Sequence, residues 1–259
     1  MNLQKNIFKM MMLLCGILVL NSCASGKSIL YIQNPSAVTG NMPNFENTLQ
    51  PDDNLVITVT SDEPELAKNF NMLYLNSQST EMRSASDDRL YSYTIDQRGE
   101  IDFPVLGKLK LAGLTRIQAE DKIKALLKDG YLANPGVNLK VINFKISVLG
   151  EVATPGAQNV VGDRITLLEA LSEAGDLTIY GKRQNIRIIR EKDGVQTITP
   201  VDITKADFIN SPYYYLAHND VVIVDPNKTR INSSVVGPNL TVGLSALSLL
   251  LGIIALTTR

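Results

Sequence analysis

Ile95-Asp96-Gln97-Arg98-Gly99-Glu100-Ile101-Asp102-Phe103-Pro104-Val105-Leu106-Gly107, with Ala112-Gly113-Leu114-Thr115 just beyond it, is the stretch whose reading decides the fold. Asp96 to Gly99 carries a turn signature with Gly placed for a positive φ. Tyr91 to Ile95 and Glu100 to Phe103 flank it as the expected arms of a hairpin. The helix that follows is marked at both ends: Thr115 and Gln118 form a capping box, Leu114 can staple to Ala119, and Asp129-Gly130 closes it. Ile123, Leu126 and Leu127 supply its expected apolar face. Val137 to Val141 then reads as a strand that leads through Asn143 into another, Lys145 to Leu149. Upstream, Pro51-Asp52-Asp53-Asn54 turns the chain into Leu55 to Thr60, a strand of mostly β-branched residues. Asn76 to Arg89 is polar with little to bury and reads as a loop.

Downstream the same logic repeats. Thr166 and Glu169 make a second capping box, Leu167, Leu168, Leu171 and Ala174 give the apolar positions, and Gly175 ends the helix. Ile186 to Arg190 and Val195 to Ile198 pair around Lys192-Asp193-Gly194, and Asp220 to Val224 is a last strand. The pattern predicts two small α+β units in line.

Three stretches, in order, resemble the polysaccharide export outer-membrane lipoprotein family. Leu49 to Val59 is close to its opening Pro-Gly-Asp pattern, with Asp52 where Gly is usual. Ile95 to Gly107 with Ala112-Gly113-Leu114-Thr115 is the most specific piece. Val148-Leu149-Gly150-Glu151-Val152, Pro155-Gly156, Thr166 to Ala170 and Glu173-Ala174-Gly175-Asp176 are similar to that family's SLBB-type β-grasp module, with Asp176 replacing a second Gly. The resemblance implies an α+β export domain at 49–143 and a β-grasp-like domain at 144–226. It also implies a homo-oligomeric ring that conducts capsular polysaccharide or exopolysaccharide across the outer membrane, with polymer handed over by an inner-membrane polysaccharide co-polymerase.

The two ends carry membrane signals. Lys5 and Lys9 precede the apolar Met10 to Leu20, too short to span a bilayer comfortably, and Leu20-Asn21-Ser22-Cys23 resembles a lipobox. This predicts a signal peptide over 1–22, lipid attachment at Cys23, and a tether over 23–48 that is rich in Asn, Pro, Ser and Gly. No acidic cluster follows Cys23, so folded domains in the periplasm and an anchor in outer-membrane lipid are expected. After a linker over 227–237, Gly237-Pro238 can start a helix over 238–256. Leu240 to Leu256 holds no charge and would extend about 26 Å, plausible for a thin outer membrane. Thr241, Ser245, Ser248, Gly252, Ala255 and Arg259 fall on one small, weakly polar stripe, suited to lining a pore or packing against neighbours.

Composition narrows the chemistry. With 25 basic residues interspersed among 26 acidic ones and a net charge of -1, the 259-residue chain has no nucleic-acid signature. Cys15 leaves with the signal, so the remaining cysteine permits neither an intrachain disulfide nor a Cys-based zinc site. No cofactor or metal is expected. His218 is the one histidine, and His218-Asn219-Asp220 looks like a turn entering a strand without a Gly-x-Ser-x-Gly elbow. Tyr213-Tyr214-Tyr215 is expected to pack in core or interface. Asp52-Asp53 and Asp87-Asp88 are adjacent pairs, a poor start for the opposed acids of a glycosidase. The expectation is therefore a non-enzymatic export conduit. The alternatives are a periplasmic glycan-binding or scaffolding lipoprotein without a pore and, last, a cell-envelope glycosidase.

Overall fold

The computed structural model describes residues 29–33, 46–71, 92–192 and 194–235, together with 242–243, 245–246, 248–250 and 252–253. It is mixed helix and sheet, with two hydrophobic cores. The first unit runs through β1 (Asn54–Thr60), a helical turn α1 (Pro64–Ala67), β2 (Tyr93–Thr94), β3 (Glu100–Phe103), β4 (Gly107–Lys110), α2 (Arg116–Lys128) and β5 (Gly136–Val141). The period-2 pattern of β1 buries Leu55, Ile57 and Val59. It lies between β2 and β5, antiparallel to both.

The expected pairing of Tyr91 to Ile95 with Glu100 to Phe103 is corrected here: β2 pairs with β1, and β3 pairs with β4 across Pro104-Val105-Leu106. The turn itself is present. Gly99 has φ +81°, its N–H donates to Asp96 O at 2.8 Å, and a Cβ there would meet Ala112 Cβ at 2.6 Å. The ladder goes elsewhere because Ile95 exchanges backbone bonds with the Asp52-Asp53 turn, while the Leu111 and Ala112 N–H groups converge on Gly99 O. Ile95, Ile101, Leu109 and Leu111 thereby enter one core.

The α2 capping box forms as the sequence predicts. Ala119, Ile123 and Leu127 turn inward at four-residue spacing, each fully buried, but Leu126 is 38% exposed and does not belong to the apolar face.

The second unit comprises β6 (Lys145–Gly150), β7 (Gly156–Asn159), β8 (Ile165–Thr166), α3 (Leu167–Glu173), β9 (Gly181–Lys192), β10 (Val195–Val201), β11 (Tyr215–Leu216) and β12 (Val221–Pro226). Its five-stranded sheet has the order β10-β9-β12-β6-β7, with β12 and β6 parallel. Gly150 is required where these two cross: its φ is +95° and a Cβ would lie 2.0 Å from Val224 O. The α3 capping box forms, burying Leu167, Ala170 and Leu171, while Leu168 is half-buried. Tyr215 is buried, and Tyr214 packs edge-on against it at 5.0 Å, in keeping with a packing role.

Three expectations about the ends meet a different outcome or fall outside the described residues. The tether expected over 23–48 is partly docked: the Ile32 and Gln33 N–H groups donate to Ile203 O (3.1 Å) and Thr204 O (2.7 Å), and Tyr31 O–H donates to the Asp176 carboxylate. The Arg183 guanidinium lies 5.1 Å from the Tyr31 ring, a cation–π contact that a Ser/Asn-rich composition hides. Burial, and then the Asp176 bond, pushes the Tyr31 pKa up to about 12. The linker expected over 227–237 instead begins as a helix, α4 (Lys228–Val235), because Asn227 Oδ1 caps the Arg230 N–H at 3.0 Å. As for the membrane helix expected over 238–256, its described residues are helical, yet among the described residues no helix is long and apolar enough to cross a membrane.

Candidate functional site

The two units meet at a polar joint. Asp53 ends the turn before β1, where its Oδ2 accepts the Gln50 N–H at 2.9 Å. Its Oδ1 lies 2.5 Å from His218 Nδ1, a residue 165 positions away in the second unit. Both are buried, Asp53 at 2% and His218 at 8% exposure. A carboxylate can only accept, so the proton of this bond is assigned to Nδ1. Nε2 is buried and has no hydrogen-bond partner among the described residues.

His218 is held in place from both sides. Phe144 packs its edge on the imidazole at 5.8 Å between ring centroids. The turn that carries His218 is pinned by Asp220, whose Oδ2 accepts the Ala217 N–H (2.8 Å) and Arg190 Nη2–H (2.6 Å). Burial pushes the Asp220 carboxyl above its ordinary range, against the opposing pull of Arg190. Asn219 takes the left-handed conformation at φ +64°, and its N–H donates to Lys145 O at 2.9 Å.

Two further bonds cross the joint. Arg116, the first residue of α2, donates to Glu120 within its own helix (2.8 Å) and reaches Asp163 of the second unit (3.2 Å). Burial works against this charge, yet Glu120 and Asp163 outweigh it and hold the guanidinium above its ordinary pKa. Asn47 Nδ2–H donates to Asp163 O at 3.0 Å. Beside these contacts lies a cavity of about 410 Å³ whose lining includes Leu49, Asp53, Ile117, Val141, Phe144 and His218.

Chemically the joint is suited to binding and to fixing an angle between units. Asp53 and His218 resemble the acid–imidazole half of a hydrolytic triad, but no hydroxyl or thiol meets Nε2 among the described residues. No cluster of three or more His, Cys, Asp or Glu residues is placed to hold a metal among the described residues.

Of the site residues expected from sequence, Cys23, Thr241 and Ala255 lie outside the described residues. Ser245, Ser248 and Gly252 are helical and exposed, with Ser248 Oγ donating to Ser245 O at 2.8 Å. The joint brings together none of them. His218 was visible in the sequence as a turn residue, whereas its partner Asp53 was hidden within an ordinary acidic pair.

Comparison with known proteins gives concordant results. Residues 42–142 match the polysaccharide biosynthesis/export protein family, and residues 144–224 match the SLBB domain. The EPS I polysaccharide export outer membrane protein EpsA of Ralstonia solanacearum is 29% identical over 188 residues, which is 70% of this chain and 49% of that protein. Its counterpart from Ralstonia nicotianae is 30% identical over 154 residues, 57% of this chain and 40% of that protein. The chain thus spans about half the length, or less, of these curated relatives.

Proposed function

Because the chain belongs to the polysaccharide export family, we propose that it is an outer-membrane lipoprotein whose copies form a conduit for capsular polysaccharide or exopolysaccharide. The observation that carries this reading is the uninterrupted succession of the two matched domains, 42–142 and 144–224. The joint supports it physically: a ring wall needs subunits of fixed shape, and a buried Asp53–His218 pair with Arg116–Asp163 beside it resists bending between the units. Lipid at Cys23 anchors the chain, the domains lie in the periplasm, and the residues over 238–256 cross the outer membrane with Thr241, Ser245, Ser248, Gly252 and Ala255 on the packing or pore side. An inner-membrane co-polymerase delivers the polymer. The protein turns over no substrate.

The second reading, a glycan-binding or scaffolding lipoprotein without a pore, is favoured by one observation, the cavity at the joint. An epitope tag after Arg259 separates the two. Antibody labelling of intact cells supports the conduit, whereas labelling only after permeabilisation supports the scaffold. A deletion strain is expected to retain polymer inside the cell, and loss of synthesis with no retained polymer would overturn the export reading.

A further inference from the structure

We infer that the turn over 176–181, with the two chain segments docked on it, is a lipid-contacting pole of the second unit, and that Ile179, Leu30, Ile29 and Ile231 sit in the headgroup boundary of a phospholipid leaflet. The inference rests on the proposed anchoring and goes beyond it: the anchors supply attachment, whereas this contact is made by the folded unit itself.

The turn wraps around one buried cation. The Arg183 guanidinium donates to Leu177 O (3.4 Å), Thr178 O (3.3 Å) and Gly181 O (3.1 Å). Segment 29–33 closes on the same group, with the Tyr31 ring over the guanidinium and the Tyr31 O–H on Asp176. Helix α4 is fastened to the turn as well: Asn227 N–H donates to Tyr180 O at 2.7 Å, and the Arg230 guanidinium lies 5.5 Å from the Tyr180 ring. The segment leading back toward Cys23 and the helix leading on toward the uncharged run Leu240 to Leu256 are thus tied to one turn.

Apolar side chains stand uncovered around it. Ile179 is 66% exposed, Leu30 55%, Ile29 46% and Ile231 45%. Single exposed apolar residues are ordinary, but these are grouped where two membrane-directed segments are tied down. The first unit does not shield them. The 12-residue strand β9 starts at Gly181 and extends about 35 Å to Lys192, and Lys192 lines a cleft with Pro51 and Arg98 of the first unit. The turn is therefore at the opposite end of β9 from that cleft. The chain holds no acidic residue after Asp225, while Lys228 and Arg230 are exposed at the start of α4. Apolar residues beside exposed cations suit a leaflet that carries anionic headgroups.

The chain contains no tryptophan, so Ile179→Trp, Leu30→Trp and Val195→Trp each introduce a unique fluorophore. Val195 is the control, 62% exposed and paired with Lys192 at the far end of β9. The full chain is reconstituted into vesicles of phosphatidylethanolamine and phosphatidylglycerol, either plain or brominated on the acyl chain near the glycerol. Bromine is expected to quench Ile179→Trp and Leu30→Trp at least about twofold more than Val195→Trp, as burial of about 5–10 Å into the headgroup boundary requires. Quenching at Ile179→Trp below that margin overturns the inference. A blue-shifted but unquenched emission overturns it too, and gives the pole to a protein partner. Flotation of the same samples separates the two readings: a chain that floats with the vesicles without differential quenching overturns only this inference, whereas a chain that fails to float overturns the anchoring as well.

Discussion

Asp53→Asn preserves the shape of a buried side chain and removes one acceptor, and its cost follows from the two N–H groups that Asp53 serves. The carboxylate accepts from Gln50 N–H through Oδ2 and from His218 Nδ1–H through Oδ1. An amide has one oxygen, so in either orientation its NH₂ faces a buried donor. Losing a hydrogen bond to a charged group costs about 1.5–3 kcal/mol, and an unmet buried donor adds to this. About 3 kcal/mol is expected in all. For a cooperative body of this size that is a fall in Tm of about 6–12 °C. Scanning calorimetry of the full chain in detergent is the assay, run on Asp53→Asn, His218→Ala and the double variant. Because the bond crosses the units, the single melting transition is expected to split or broaden as the joint loosens. The double variant should fall short of the sum of the singles by at least about 1.5 kcal/mol. Asp53→Asn within about 0.5 kcal/mol of the parent, or additivity within the same margin, would refute the joint as a stabilising contact.

Tyr93 offers a test in the opposite direction. Its buried hydroxyl has no hydrogen-bond partner among the described residues, and burial pushes its pKa from 10.0 to about 12. As pH rises from about 10 toward 12 the unfolded chain gives up this proton before the folded one, so stability should fall across that window. Tyr93→Phe keeps the stack on Phe103, should be neutral or stabilising by up to about 1 kcal/mol, and should flatten the alkaline loss; marked destabilisation in a urea titration would contradict it. Asp176 sits at φ +71°, where Gly costs nothing, but its carboxylate accepts the Leu177 N–H at 2.6 Å and the Tyr31 O–H. Asp176→Gly should therefore change stability by no more than about 1 kcal/mol, strain relief offsetting lost bonds. It should also speed hydrogen exchange at the Ile32 and Gln33 amides; unchanged exchange there would show that Tyr31 does not hold the segment. Asp52→Gly, at φ +70° with only an exposed Gln97 contact to lose, should stabilise by up to about 1 kcal/mol.

What could be read in the sequence was local. Both capping boxes appear where Thr115 and Thr166 announce them, since three residues and two side chains suffice to specify the geometry. The two Asp residues standing where the family places Gly both adopt positive φ, so the substitution changed the side chain and kept the backbone. Pairing was harder. The β2 strand prefers β1 to its sequence neighbour, and β12 joins β6 in parallel, both decided by cores that bring together residues far apart in the chain. The Asp53–His218 contact spans 165 residues, and no short-range pattern encodes such a separation. The helix cap at Asn227 is legible in the sequence as well, because an Asn three residues before Arg230 is an ordinary N-terminal signal.

The docking of Ile32 and Gln33 on the second unit changes how far that unit can stray from a membrane. With lipid on Cys23, as proposed, only six residues separate the acyl chain from Ile29, a leash whose fully stretched reach is about 21 Å. A free tether running to Leu49 would have allowed roughly four times that distance. Since α4 also belongs to the second unit, with Arg230 bound to Glu151, a membrane crossing over 238–256, as proposed, would pull that same unit toward the bilayer. Under the proposed anchoring, the unit that comes later in the sequence would thereby be the one held close to the lipid.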